Sequence, residues 1–283
     1  MSEHLIHSDK GNSVQMAITP ASAAWGHLSF SVVTLAAGEK HAVGTEGIEV
    51  AVVPRSGSGG VTGGEQTFAL SRSSVWQEKP HVLYIPPGQD VTVAGPSTGS
   101  GDETFEFAYG GAPAEGKYPV RLFTPEEQQV VVRGGGAATR QVNFTLQHPL
   151  PAERLILFEV YVSGGMYSGW PPHCHDGFAG SPYLEETYYY KINPSDHGYA
   201  IHRNYRLDND FDELFTVKDG DCVLVTEGFH PVAGPPGAQV YFLNYLAGDL
   251  LDEGRADPPY DDPNWGWMKD DYEANGLTLP LFD

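Results

Sequence analysis

Two histidines one residue apart, His173 and His175 in the stretch Trp170-Pro-Pro-His-Cys-His-Asp176, are the residues best suited to chemistry. On an extended strand, residues i and i+2 point to the same face, so two imidazoles so spaced can share one cation. The turn 177–182 (GFAGSP) follows, and then Tyr183-Leu-Glu-Glu-Thr-Tyr-Tyr-Tyr190. Along a strand Glu186, Tyr188 and Tyr190 take one face, while Glu185, Thr187 and Tyr189 take the other. Pairing register decides which glutamate meets the histidines. Glu186 is the favoured ligand and Glu185 the alternative. A fourth ligand is His230, in Gly220-Asp-Cys-Val-Leu-Val-Thr-Glu-Gly-Phe-His230, which reads as a turn, a buried strand, a second Gly turn and a histidine. Three imidazoles and one carboxylate suit Zn, Mn, Fe, Ni or Co, and the donor types do not choose among them. Each piece alone has a plainer explanation: an accidental His-x-His, a turn histidine, a tyrosine run that only packs. Their conjunction carries the divalent-metal reading. Cys174 points away from its histidine neighbours and reads as structural, and Cys222 as a buried apolar thiol. His202, in the strand 199–205, is a further candidate to face the pocket.

Such a constellation needs strands to hold it. Short apolar or alternating runs recur through the chain, among them Leu28–Leu35, Ile48–Val53, Leu155–Val162, Thr187–Ile192, Cys222–Val225 and Gln239–Leu246. They are rich in β-branched and aromatic residues, and most are bounded by turn residues. Helical periodicity over ten or more residues is absent, and Pro125–Gln129 is predicted as a single helical turn. With 34 Gly and 22 Pro, the composition favours turns over helix interiors. The prediction is an all-β sandwich or barrel architecture. Tyr84-Ile-Pro-Pro-Gly88 and Val223-Leu-Val-Thr-Glu-Gly228 echo each other as a strand entering a Gly turn. This suggests two tandem barrels whose first copy lacks the ligand set. The Gly-rich run 134–138 places the boundary at residues 1–135 and 136–283. The run 57–64 (GSGGVTGG) is predicted as a flexible hairpin connection.

The chain carries 16 basic and 37 acidic residues, a net charge of −21. With no Lys or Arg cluster, a nucleic-acid partner is not expected. Two cysteines make no disulfide framework. No basic n-region precedes an apolar run and no stretch approaches 18 apolar residues, so neither a signal peptide nor a membrane span is expected, and the default compartment is the cytoplasm. Apolar edge strands are compatible with a homo-oligomer.

At the His-x-His and His230 motifs the chain resembles the cupins. More narrowly it is similar to the 5-deoxy-glucuronate isomerases of inositol catabolism, which are related to the uronate ketol-isomerases. The stretches that carry this are Ala112-Pro-Ala-Glu-Gly116, Arg133-Gly134 with Thr139-Arg-Gln-Val142, Pro171-Pro-His-Cys-His-Asp176, Tyr183–Tyr190, Val217-Lys-Asp-Gly-Asp221 and Glu227-Gly-Phe-His-Pro-Val232. Cys174 and His202 depart from the family pattern, where Lys and Gln are expected. The resemblance implies two tandem cupin (jelly-roll) barrels, a divalent metal on His173, His175, Glu186 and His230 in the C-terminal barrel, and interconversion of 5-deoxy-D-glucuronate and 5-dehydro-2-deoxy-D-gluconate. Such an aldose–ketose isomerisation passes through an enediolate, which a cation stabilises. The proton-moving candidates are Glu185, His202 and a metal-held water. Tyr188 and Tyr190 are placed to hydrogen-bond the substrate. Its carboxylate calls for a local cation, and Arg203, Arg140 and Lys191 are the candidates. Two other readings use the same ligands: a metal-dependent cupin dioxygenase, and a sugar-binding bicupin without catalysis.

Overall fold

The alternation read from the sequence is realised as antiparallel sheet almost throughout. The computed structural model describes residues 3–97, 103–273, 276 and 280–281. Among these, the first sheet has nine strands, with the path β10 (Arg121–Phe123), β7 (Val82–Ile85), β5 (Ile48–Gly63), β9 (Thr104–Pro113), β3 (Ser29–Ala36), β2 (Val14–Ile18). Off this path, β4 (Lys40–Val43) pairs with β8 (Val91–Ala94), and β8 and β6 (Gln66–Arg72) both pair with β5. The second sheet has seven strands, ordered β1 (Leu5–Ile6), β19 (Cys222–Val225), β16 (Leu184–Asn193), β21 (Gln239–Gly248), β13 (Ile156–Val162), β12 (Arg140–Leu146), β11 (Gln129–Arg133). A smaller sheet sets β14 (Tyr167–Ser168), β20 (Val232–Ala233), β17 (Ala200–Tyr205) and β18 (Asp212–Val217) side by side, and β15 (His173–Cys174) pairs with β22 (Tyr260–Asp261). The architecture is two jelly-roll barrels. The single helical turn read at 125–129 is a 3-10 turn at Pro125–Glu127. Among the described residues no helix is long and apolar enough to cross a membrane.

The order β7-β5-β9-β3-β2 in the first sheet matches β19-β16-β21-β13-β12 in the second. Register agrees as well. Val50 of β5 faces Ile85 on β7 and Gly111 on β9, and Glu186 of β16 faces Val225 on β19 and Leu246 on β21. The echoing segments Tyr84–Gly88 and Val223–Gly228 thus lie on equivalent strands, each ending at a positive-φ glycine (Gly88 φ 77°, Gly228 φ 83°) that a side chain would strain.

Two sequence expectations change. The boundary at residue 135 cuts a hairpin, because β11 pairs with β12 from Arg133↔Arg140 onward and belongs to the second sheet; the 134–138 glycine run is the loop between them. The second sheet also takes its edge strand β1 from the N-terminus, with Leu5 opposite Val223. The run 57–64 is not a loose connection but mostly strand, since β5 continues to Gly63 and pairs with β6. Its glycines answer to sterics: a Cβ at Gly57 would lie 1.9 Å from the Thr104 carbonyl oxygen, and one at Gly59 would lie 2.3 Å from the Phe105 ring.

Alternation sorts side chains into three principal cores. Val33, Val50, Val52, Leu83, Ile85, Phe105 and Phe107 fill the first barrel with hydrocarbon. Tyr188, Tyr190, Val223, Val225, Val240 and Phe242 are in the interior of the second. The outer faces of both sheets share one core, where Phe30, Ala51 and Tyr84 meet Leu157, Tyr189, Leu243 and Tyr245. Reciprocal clasps lock this junction. Glu49 accepts from the backbone N–H groups of Glu153, Arg154 and Leu155 at 2.6–2.8 Å and from the Tyr84 hydroxyl. Glu185 accepts from those of Gly26, His27 and Leu28 at 2.6–2.9 Å and from the Tyr183 hydroxyl. Each carboxylate, second residue of the matched strands β5 and β16, grips the segment just before a strand of the other sheet, β13 for Glu49 and β3 for Glu185. A hydrogen bond to a charged group contributes about 1.5–3 kcal/mol. The buried Arg72–Glu159 ion pair, 2.6 Å, adds a further tie from β6 to β13.

Candidate metal centre and cavity

Strand alternation resolves the choice between the glutamates. On β16 the even residues face the barrel interior and the odd ones the inter-barrel core, so Glu186 turns inward and Glu185 outward. β15 and the turn after it carry His173 and His175, and the Gly228 turn after β19 carries His230. Asp176 fixes these two segments to each other: one of its carboxylate oxygens accepts from the Gly228 N–H and from the Arg206 guanidinium, each at 2.8 Å. β22 holds the other side, pairing Asp261 with His173, and the Tyr205 hydroxyl donates to Asp262 at 2.5 Å.

Donor atoms of His175, Glu186 and His230 all lie within 4.8 Å of one another, and all three residues are buried. The His175 Nδ1–H donates to the Leu184 carbonyl at 2.9 Å and leaves Nε2 2.9 Å from Glu186 Oε2. The His230 Nδ1–H donates to the Gly228 carbonyl at 3.0 Å, and Nε2 sits 3.4 Å from the same Glu186 oxygen. That Nε2 is buried without a hydrogen bond among the described residues. His173 stands just outside this tightest group: its ring centroid is 4.8 Å from that of His230 and 6.4 Å from that of His175. His175 and His230 are each tied to a backbone carbonyl through Nδ1, which fixes the tautomer and leaves Nε2 as a donor.

Electrostatics favour neutral rings at His173 and His230. Burial, then the charge of His175, pushes His173 down to about 3. Burial, then His173 and His175, holds His230 well below the usual range. On His175 burial works the same way, but the Glu186 carboxylate outweighs it and leaves the pKa raised. Burial raises Glu186 despite its hydrogen bond to His175. Neutral rings with free lone pairs are the form that binds a metal.

His173, His175 and Glu186 open onto a cavity of about 630 Å³. Tyr188 lines it, and its hydroxyl makes no hydrogen bond among the described residues. Burial, then Glu186, holds that phenol well above its usual pKa, so it stays protonated. Arg140 also lines the cavity.

Other sequence candidates are placed elsewhere. Glu185 is the inter-barrel clasp, on the opposite face from the histidines. His202 does not line the cavity; it is buried beside Tyr188, accepts from the Tyr190 hydroxyl through Nδ1 at 2.7 Å, and donates through Nε2 to Asn204 at 2.9 Å. Burial depresses it to about 3, and with both nitrogens engaged it is not a base. Tyr190 is committed to His202. Arg203 is exposed and bidentate to Asp212 at 2.7 and 2.8 Å. Lys191 faces the inter-barrel side and pairs with Glu106 at 3.1 Å. Cys174 is buried with Tyr205 and Phe229, and burial, then Asp176, pushes its thiol up to about 12, so it is no thiolate ligand.

Sequence reasoning missed three lining groups, Arg133, Lys269 and Tyr272. Arg133 had a signal: it sits symmetrically with Arg140 about the glycine run, as hairpin partners do. Lys269 and Tyr272 lie in the C-terminal tail, whose approach to the cavity left no periodic trace.

The sequence pattern of the KduI/IolB family matches residues 3–268. The chain is 36% identical over 265 residues to a 5-deoxy-glucuronate isomerase of Geobacillus kaustophilus (92% of each chain), and 31% identical over 257 residues to that of Bacillus subtilis strain 168 (89% of this chain, 91% of the other). Among solved structures, an IolB-like protein from Salmonella typhimurium LT2 superposes with a TM-score of 0.86 at 31% identity, covering 94% of this chain and 99% of that one. An oxalate decarboxylase from Lactobacillus farciminis superposes at 0.61 with 11% identity, covering 89% of this chain and 88% of that one, and so shares the fold alone.

Proposed function

The chain belongs to the KduI/IolB family, and from that premise we propose that it interconverts 5-deoxy-D-glucuronate and 5-dehydro-2-deoxy-D-gluconate, using a divalent cation held by His173, His175, Glu186 and His230. The observation that supports the metal role is the buried, unbonded His230 Nε2 beside a Glu186 oxygen that also meets His175 Nε2. Imidazole and carboxylate donors of this kind suit a Zn, Mn, Fe, Ni or Co ion. When bound, such an ion stabilises the negative charge that develops on adjacent oxygens of an aldose losing its α-proton.

The chain's own groups do the rest. Tyr188 offers a protonated hydroxyl to a substrate oxygen, and the His202–Tyr190–Asn204 network behind it holds its ring, with the His202 and Tyr188 centroids 4.8 Å apart and edge to face. Val142, Phe158 and Phe242 line the cavity and limit water around the reacting carbons. Glu185 and His202, both removed from the cavity, take no proton from the substrate.

Incubating the protein with 5-deoxy-D-glucuronate in D2O and following the product by NMR tests the reading. Ketose formation without redox cofactor, with solvent deuterium entering at the former aldehyde carbon (C6 of the product), is the expected result. Oxygen uptake in place of isomerisation identifies the dioxygenase instead, and no conversion by metal-loaded, folded protein refutes the assignment.

A further inference from the structure

Across the β11–β12 hairpin, Arg133 and Arg140 are direct cross-strand partners, and both line the cavity that holds the candidate metal centre. Like charges placed opposite each other destabilise a sheet unless something neutralises them. Among the described residues no carboxylate does. Arg140 Nη1 donates to two backbone carbonyls, Ala138 at 3.2 Å and Trp170 at 3.1 Å. Arg133 stacks over the Phe144 ring at 5.1 Å. Among the described residues neither guanidinium is paired with a carboxylate, although the chain has 37 acidic residues against 16 basic ones. The other two cations on the cavity wall are committed: Lys269 to Asp261, and Arg255, fully buried, to the carbonyls of Leu150, Ala152 and Leu155.

Arg140 is also held in place. A Cβ at Gly134 would lie 2.8 Å from Arg140 Nη1 and 2.1 Å from the Ala138 carbonyl oxygen, so the loop closes around the guanidinium only with glycine there. Burial lowers the Arg140 pKa and the Tyr272 hydroxyl offsets this only in part, but a guanidinium stays protonated in any case. It lines the same cavity as His173 and Tyr188.

We propose that Arg140, assisted by Arg133 at the rim, is the carboxylate subsite of this cavity and makes the enzyme selective for sugar acids over neutral aldoses. This rests on the isomerase reading for the identity of the substrate, but the anion subsite is testable without it. Guanidinium and carboxylate match as a planar, two-bond fork. The substrate is thereby held at its acid end, and its aldehyde end is directed to the His–Glu set and Tyr188.

The experiment has two arms. In the first, kcat and KM are compared for 5-deoxy-D-glucuronate and for the analogue bearing CH2OH in place of the carboxylate. Arg140→Gln lowers kcat/KM for the acid roughly 30- to 100-fold, chiefly through KM, as expected for a lost charge-assisted pair. The loss on the neutral analogue is far smaller. Arg140→Lys recovers part of it, and Arg133→Gln gives a smaller loss of the same kind. Equal losses on acid and neutral substrates, or wild-type KM in both Gln variants, overturn the proposal. In the second arm, calorimetry compares D-gluconate with D-glucitol on the purified protein, neither of which has an aldehyde to isomerise. A preference for gluconate that Arg140→Gln erases supports the subsite even if the isomerase assay fails. Absence of that preference in the wild type, or its survival in both variants, overturns the subsite even if the isomerase assay succeeds. Unchanged thermal midpoint and metal content in the variants exclude a folding effect.

Discussion

Val50 on β5 and Glu186 on β16 hold the same place in two barrels of the same strand order: each faces the last residue of the neighbouring strand, Ile85 in one case and Val225 in the other. Their neighbours on the outer face, Glu49 and Glu185, perform the same task, gripping three backbone N–H groups of the opposite half. The frame is thus retained while the interiors diverge. One is closed with valine, leucine and phenylalanine; the other turns histidine, glutamate and tyrosine into a cavity. In this molecule the candidate metal centre draws on inward positions of one barrel, and cohesion on outward positions of both.

Substitutions at matched positions break or sharpen that contrast. The largest effect belongs to Glu186→Ala: metal content drops and kcat/KM falls about 10³-fold or more, roughly 4 kcal/mol of transition-state stabilisation, as read by elemental analysis and the isomerase assay. Val50→Glu buries a carboxylate among hydrocarbon and lowers stability by on the order of 4 kcal/mol without creating a second metal equivalent; denaturant unfolding and metal counting check both halves of the statement. Next come the clasps. Glu185→Gln and Glu49→Gln each cost about 2–3 kcal/mol of stability through weakened charge-assisted hydrogen bonds, with kcat for Glu185→Gln within twofold of wild type well below the melting point; a collapse of kcat in that variant with normal stability makes Glu185 catalytic after all. Tyr188→Phe lowers kcat roughly 10- to 50-fold at unchanged metal content, the loss of one hydrogen bond to developing charge.

A further effect concerns acid stability. His202 is held neutral, its pKa taken from 6.5 to about 3 by burial. Between those values the unfolded chain binds a proton that the folded chain refuses, so stability falls as pH drops through this window, at up to roughly 1.4 kcal/mol per pH unit. His202→Gln, whose amide oxygen can still accept from Tyr190, removes that slope. Its urea midpoint changes less between pH 6.5 and 4 than that of the wild type, and equal changes exclude the effect.

Much of this was legible in the residues. His-x-His, the Gly228 turn and the inward series Glu186, Tyr188, Tyr190 follow from period-two geometry, and the repeat shows in two matching Gly turns. What stayed hidden depends on pairing across long sequence distances. No local signal announces that Leu5 adds to the second sheet beside Val223, or that β22 returns to flank His173. The run 57–64 reads as a flexible hairpin connection because composition carries no information on the close approach of Thr104 and Phe105 that leaves no room for a Cβ at Gly57 and Gly59. His202 and Arg203 lie on a strand that reads as pocket wall, yet one is sealed behind Tyr188 and the other faces Asp212 in solvent. Arg133 became meaningful only once Arg140 stood opposite it.

The central claim is that the inward histidines and Glu186 of the second barrel hold a cation on which isomerisation depends. The most direct measurement strips the protein with a chelator, confirms the fold by circular dichroism, and assays 5-deoxy-D-glucuronate before and after returning one equivalent of divalent metal. Activity lost with the metal and restored at one ion per chain in the wild type, with neither retention nor rescue in His230→Ala, is the predicted result. Full turnover by the stripped protein, or by His230→Ala, contradicts it.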